Sequence, residues 1–234
     1  MAKDIRKPEV PLYELVYNTH LPAHNPIRIP PGETFEGGDA YVHQGHVWIG
    51  VGTRTTFGAA LKIYEALRDD LDRYGVKFAV IQDENPFDRP FSQQQDFMHL
   101  DTFSNPTGRK DIAVCIEEAS RRKVLLIESM KGNTIIKNTG LSFIDYLEYV
   151  VQEDDIVVIS KDEQQAFGCN FLLLGEYHNR RTVILEPLES NTDTNNQLRR
   201  LGKEIVPTNL YQSTRGYGAA HCMTGQLLRE ESYA

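Results

Sequence analysis

The sequence predicts an α/β fold assembled from a repeated strand–strand–helix–strand unit. Two β-prone runs, residues 40–43 and 46–51, are split by Gln44-Gly45, the composition of a tight hairpin turn. A helical stretch follows, with Leu61, Tyr64, Leu67, Leu71 and Tyr74 recurring at intervals of three and four, and residues 76–81 read as another strand. On a longer scale, Asp39, Asp101, Asn170 and Cys222 are 62, 69 and 52 residues apart, each at or near the start of a predicted strand. A module repeated about an axis would let residues so distant meet at one centre. Without that recurrence, alternating strands and helices specify α/β or α+β and no more.

In chain order, residues 1–34 read as a lead-in and Pro-rich connection, and residues 35–234 as the main domain. Pro8 and Pro11 keep the first dozen residues loose, and Leu15-Val16-Tyr17 is expected as a short strand. Pro22, Pro26, Pro30, Pro31 and Gly32 exclude regular structure from the connection. Thr55 or Thr56 caps the helix after the hairpin, and Gly75 stops it. Residues 97–103, 111–117 and 123–128 are strand-like, with no clear helix between them. Ser142 opens a helix with Asp145 as its capping-box partner and Phe143, Leu147 and Val150 on one side. Residues 155–160, 169–174 and 181–185 are β-like; residues 194–201 form a short helix ending at Gly202, and residues 203–207 are extended.

Hydrophobic residues at 40% and charged residues at 25% are the mix of a globular chain long enough to bury a sizeable core. The net charge of -8 opposes a nucleic-acid binder, and Arg121-Arg122-Lys123 and Arg199-Arg200 are short enough to be solvated helix ends. The first nine residues lack an apolar segment of the secretory kind, and no stretch approaches the length of a membrane span. Cys115, Cys169 and Cys222 are odd in number and widely spaced, so the expectation is a reducing, cytoplasmic setting without a disulfide framework. His43 with His46, and His20 with His24, have ligand-like spacing but no matching cysteine or carboxylate, so neither metal nor organic cofactor is called for.

The residues with chemical potential lie in three places. Cys222 follows the run Arg215-Gly216-Tyr217-Gly218-Ala219-Ala220-His221, whose small side chains leave a sulfur open to a flat electrophile. Taken alone, Cys222 is equally a small apolar residue opening a strand over 222–228. Glu36 and Asp39 flank two glycines that let backbone and carboxylates come close to a ligand, although a plain turn with solvated acids has the same composition. His99 and Asp101, one residue apart, share one face if residues 97–103 are a strand; a satisfied core histidine is the alternative. Together a thiol, an imidazole and several carboxylates suit attack on a cationic, planar, electron-poor carbon, because acids hold the cation while the imidazole moves protons.

These motifs, in this order, resemble those of arginine deiminase. The resemblance rests on Phe35-Glu36-Gly37-Gly38-Asp39, Ile49-Gly50-Val51-Gly52-Thr53-Arg54-Thr55, Phe97-Met98-His99-Leu100-Asp101-Thr102 and the run from Gly216 to Thr224. It covers about residues 35–230, with Asn170 and the stretch from Tyr177-His178-Asn179 to Gly202 also fitting. It implies the pentein fold of guanidino-group modifying enzymes, a five-module α/β propeller of ββαβ units. It further implies that Cys222 attacks a guanidinium carbon and that His99 protonates departing ammonia, then activates water to hydrolyse an S-alkylthiouronium intermediate. Glu36 and Asp101 would hold the guanidinium nitrogens, and Arg54 the substrate carboxylate. Asp39, as a contact or an orienter of its neighbours, Arg215 and Asn170 complete the candidate substrate-binding set.

Two departures qualify what the resemblance implies. Nothing in residues 1–32 is similar to the family's first module, so the propeller is expected to be incomplete within this chain, with the rest supplied by a partner chain, by a second copy or not at all. Tyr217 stands where the family carries an arginine, with Arg215 two positions earlier, so a guanidine other than free arginine is open. An amidinotransferase sharing the thiouronium intermediate, and a non-catalytic subunit, are the alternatives to the hydrolase.

Overall fold

A computed structural model describes residues 8–20, 26–88, 97–174, 183–186, 191–216 and 218–224. The first unit is the expected one. Strands β1 (Ala40–His43) and β2 (His46–Val51) form an antiparallel hairpin whose turn residues, Gln44 and Gly45, both have positive φ, at 47° and 66°. That is the twist-compatible two-residue connection. Helix α2 (Phe57–Tyr74) then carries the chain back so that β3 (Lys77–Gln82) pairs parallel to β2, which no short turn could achieve. Thr56 caps α2 by accepting the Ala59 amide, and Gly75 ends it at φ 63°. Of the predicted apolar stripe, Tyr64 and Leu71 are buried while Tyr74 is exposed; Ile63 takes a core place instead.

The same unit occurs twice more. β4 (Ser104–Pro106) and β5 (Ile112–Cys115) are antiparallel, α4 (Phe143–Val150) crosses over, and β8 (Ile156–Ile159) lies parallel to β5. Between β5 and α4 come the short helix α3 (Ile116–Ala119) and a long hairpin, β6 (Lys123–Met130) with β7 (Asn133–Ser142). β6 joins the first sheet beside β3, giving the order β1-β2-β3-β6-β7. This hairpin obscured the second repeat in the sequence. After helix α5 (Lys161–Gln165), β9 (Leu172–Leu173) and β10 (Val183–Glu186) pair antiparallel, α6 (Thr192–Arg200) crosses, and β11 (Glu204–Pro207) lies parallel to β10.

Strand alternation divides the core between layers. From β3, Phe78 and Val80 pack toward Ile63 and Tyr64 of α2, while Ala79 and Ile81 face Trp48, Phe103, Phe143 and Leu147. Ile112 and Val114 of β5 join the latter core; Ala113 turns to Val157, Ile159, Phe171 and Leu198. The central strands β2, β3 and β5 are thus covered on both faces, and each of the three units opens on a turn that carries a predicted site residue.

Three expectations are corrected. Leu15, Val16 and Tyr17 belong to helix α1 (Glu9–His20), not a strand; Pro11 is accommodated in its first turn, where its missing N–H has no intrahelical partner to lose. Residues 97–103 are not a strand: Leu100–Thr102 form a 3-10 turn, which Thr102 Oγ1 braces by donating to the His99 carbonyl at 2.7 Å. Arg122 is not a solvated helix end but is buried, pairing with Glu118 at 3.0 Å and Asp83 at 3.6 Å and lying 3.9 Å above the Phe103 ring. Among the described residues no helix is long and apolar enough to cross a membrane.

Candidate active site

The convergent turns precede β1, β4 and β9, and the fourth is the 218–224 loop. Glu36 leads into a 3-10 turn at Gly37–Asp39. Gly38, two residues on, permits a close approach to the second turn: a methyl there would lie 2.9 Å from His99 Nδ1 and 3.0 Å from both Asp101 oxygens. A methyl at Gly37 would meet nothing within 4 Å. The second glycine of the pair is therefore there for proximity, and its φ is not positive.

Asp39 is the rivet between the first two turns. It is 3% exposed, accepting from Thr55 Oγ1 at 2.6 Å and from the Leu100 amide at 2.9 Å. Burial pushes its carboxyl up to about 7, against the opposing pull of His99 and the two hydrogen bonds. Both of its oxygens are thus committed to the scaffold.

His99 Nε2 donates to Glu36 Oε2 at 2.7 Å. Its Nδ1 is 4.0 Å from Asp101 Oδ1, and both atoms are buried without a hydrogen-bonded nitrogen or oxygen partner. Desolvation favours the neutral ring, but Cys222, Glu36, Asp39 and Asp101 together outweigh it and raise the imidazole to about 10. At neutral pH the ring is an imidazolium in an acidic cage.

Cys222 is exposed in a turn, with Sγ 3.8 Å from Asp101 Oδ2. One donor atom from each of His99, Asp101 and Cys222 lies within 4.8 Å of the others. That nitrogen, oxygen and sulfur set could also hold a zinc-like ion. The strand expected over 222–228 is not formed at 222–224, where Met223 and Thr224 amides donate back to Ala219 and His221 carbonyls; 225–228 lie outside the described residues. Tyr217 and the Tyr177-His178-Asn179 stretch lie outside them too.

The remaining candidates are placed as follows. Arg54 lies 3.7 Å from Glu36 Oε1 and donates to Met98 Sδ at 3.3 Å. Asn170 is 1% exposed and accepts the amides of Ala219 and Cys222 on its Oδ1, at 3.1 and 3.2 Å. Arg215 is exposed, 5.8 Å above the Tyr211 ring, and makes no hydrogen bond or ion pair to the converging side chains. His43 and His46 are buried, bonded to the Lys110 carbonyl and to the Gln44 carbonyl and Tyr146 hydroxyl. His20 ends α1 exposed, and His24 lies outside the described residues.

Sequence reasoning missed His221. Its Nδ1 is 2.7 Å from Asp101 Oδ2, and its only sequence signal was adjacency to the candidate nucleophile.

The arginine deiminase family model matches residues 1–229. The arginine deiminase of Mycoplasma capricolum is 32% identical over 212 residues, 85% of this chain and 48% of that protein. An uncharacterised Bacillus subtilis protein, YkgA, is 23% identical over 198 residues, 85% of this chain and 54% of that one. The chain thus spans about half the length of these curated relatives.

Among solved structures, the N-terminal domain of ArgZ, a cyanobacterial arginine dihydrolase bound to its product, superposes with a TM-score of 0.67 at 17% identity, covering 94% of this chain and 66% of that one. DDAH from Pseudomonas aeruginosa complexed with citrulline gives 0.60 at 16% identity, covering 95% of this chain and 67% of that one. These likenesses show the pentein fold. With nearly its whole length matched by the family model, the chain belongs to the arginine deiminase family.

Proposed function

We propose that this chain hydrolyses a guanidinium group to a ureido group and ammonia. The observation that carries the proposal is the convergence of Cys222, His99, Asp101 and Glu36, drawn from three turns, around one buried imidazolium. One structural neighbour, the Pseudomonas aeruginosa DDAH, is complexed with citrulline, a ureido compound.

In this reading Glu36 and Asp101 hold the planar cation. The Cys222 thiolate attacks its central carbon and a C–S bond forms. The C–N bond breaks as His99 gives its proton to the leaving nitrogen, which departs as ammonia. A thiouronium remains. The now neutral His99 takes a proton from water, whose oxygen adds to the same carbon; the C–S bond then breaks as the added hydroxyl gives its remaining proton to solvent, releasing the ureido product and the Cys222 thiolate. An imidazole raised to about 10 suits this order, since it begins as the acid.

Arg54, beside Glu36, would bind a substrate carboxylate by exchanging its present partners for it. Arg215 would reach the substrate only after leaving Tyr211. The rest of the ring would come from outside these 234 residues, through a partner chain or a second copy, and three free cysteines suit a cytoplasmic setting. The test is Cys222→Ala, which should abolish both ureido-product formation and labelling by chloroacetamidine, whereas Cys115→Ala should abolish neither. Product formation retained by Cys222→Ala would sink the reading. Transfer to an added amine would identify an amidinotransferase, and an inert native chain a non-catalytic subunit.

A further inference from the structure

We infer that Asn170 is the positioning residue that sets the register of the nucleophile loop, rather than a substrate contact; the inference rests on the hydrolase reading of Cys222. Four contacts carry it. Asn170 Oδ1 accepts both the Ala219 amide at 3.1 Å and the Cys222 amide at 3.2 Å. The Asn170 carbonyl accepts the His221 amide at 3.2 Å. Asn170 Nδ2 reaches the Asp101 carbonyl at 3.5 Å, the outer limit of a hydrogen bond.

One side chain therefore holds the turn before β9, the cysteine loop and the acid turn together. It is 1% exposed, so its oxygen is occupied by backbone and walled off from solvent. Its backbone is itself fixed, since the Asn170 amide donates to the Phe167 carbonyl at 2.9 Å.

The chemical consequence concerns placement. Gly218, Ala219 and Ala220, which lead into His221 and Cys222, have no bulky side chain to wedge the loop, so its register depends on directional bonds. Cys222 Sγ lies 3.8 Å from Asp101 Oδ2, and a slip of about 1 Å in such a site can cost roughly 100-fold in rate. An amide suits the clasp because it accepts two N–H groups without adding charge. A carboxylate would accept the same two while placing a further anion beside a sulfur that must become anionic.

The experiment uses the full chain and needs no identified substrate. Alkylation of Cys222 by cationic chloroacetamidine and by neutral chloroacetamide is followed by mass spectrometry, and the ratio of the two rates reports whether the sulfur sits in register with its acids. Asn170→Ala should lower that ratio by roughly 10- to 100-fold. Asn170→Asp, which keeps both acceptor contacts, should restore most of it and move the pH profile of alkylation upward. An unchanged ratio in Asn170→Ala would overturn the inference.

Hydrogen exchange of the unsubstituted chain decides the matter even if the variants do not fold. The Ala219 and Cys222 amides should be protected, and exchange at the free-peptide rate would overturn the clasp. Absence of any amidinium preference in the unsubstituted chain would count against the hydrolase reading, leaving exchange to decide the clasp.

Discussion

His221 Nδ1 lies 2.7 Å from Asp101 Oδ2, the same oxygen that Cys222 Sγ approaches at 3.8 Å. The carboxylate therefore sits between two imidazoles, buried His99 on one side and half-buried His221 on the other. Removing His221 takes away the bond that orients Oδ2. His221→Ala should slow chloroacetamidine labelling of Cys222 by about tenfold, the order expected for one hydrogen bond to a charged group, with little change in melting temperature. Labelling at the native rate would show that Asp101 is held without it.

The glycine pair gives a sharp contrast. Gly38→Ala would push a methyl to within 3.0 Å of three atoms of His99 and Asp101, whereas Gly37→Ala meets nothing. Overpacking of this kind costs about 1–3 kcal/mol. The expected outcome is loss of most Cys222 labelling in Gly38→Ala and near-native labelling in Gly37→Ala. Equal behaviour of the two variants would argue against the close approach.

His99 predicts a pH dependence of stability. Its folded value, about 10, lies above the ordinary imidazole value of 6.5, so the native chain holds a proton that the unfolded chain releases between them. The stability linked to His99 is complete below pH 6.5 and is lost as pH rises to about 10. Denaturant titrations should show this decline, and His99→Gln should flatten it. The chemical step should fail only as pH approaches and passes about 10, where His99 of the folded chain loses the proton it gives to the leaving nitrogen.

Asp39 gives a second window with the same sign. Its carboxyl is raised from 3.8 to about 7 by burial, so its contribution also weakens as pH rises between those values. Asp39→Asn keeps an acceptor for the Leu100 amide and can donate to Thr55, so it should fold and lose the slope between pH 4 and 7. Asp39→Ala leaves two buried polar groups without their partner and should cost about 2–3 kcal/mol by chemical denaturation.

Arg54 ties Glu36 to Met98. If it binds the substrate carboxylate, Arg54→Lys should raise KM for a carboxylate-bearing guanidine more than for agmatine, which has none, because an ammonium replaces the planar fork. Equal effects on the two would assign Arg54 to Glu36 alone.

The sequence by itself determined the first ββαβ unit, the caps at Thr56, Ser142 and Gly75, and the residue types of the candidate site, because these depend on local φ, local hydrogen bonds and side-chain chemistry. It also carried the long-range recurrence of Asp39, Asp101, Asn170 and Cys222. What the tertiary structure decided was which of these atoms face one another. The β6–β7 hairpin hid the second repeat because its strands complete the first unit's sheet, a pairing across distant chain that no local pattern encodes. Asp39 and Asn170 became scaffold, and His221 a partner of Asp101, because a polar side chain's role depends on the groups that burial leaves it to satisfy, and those groups come from other modules.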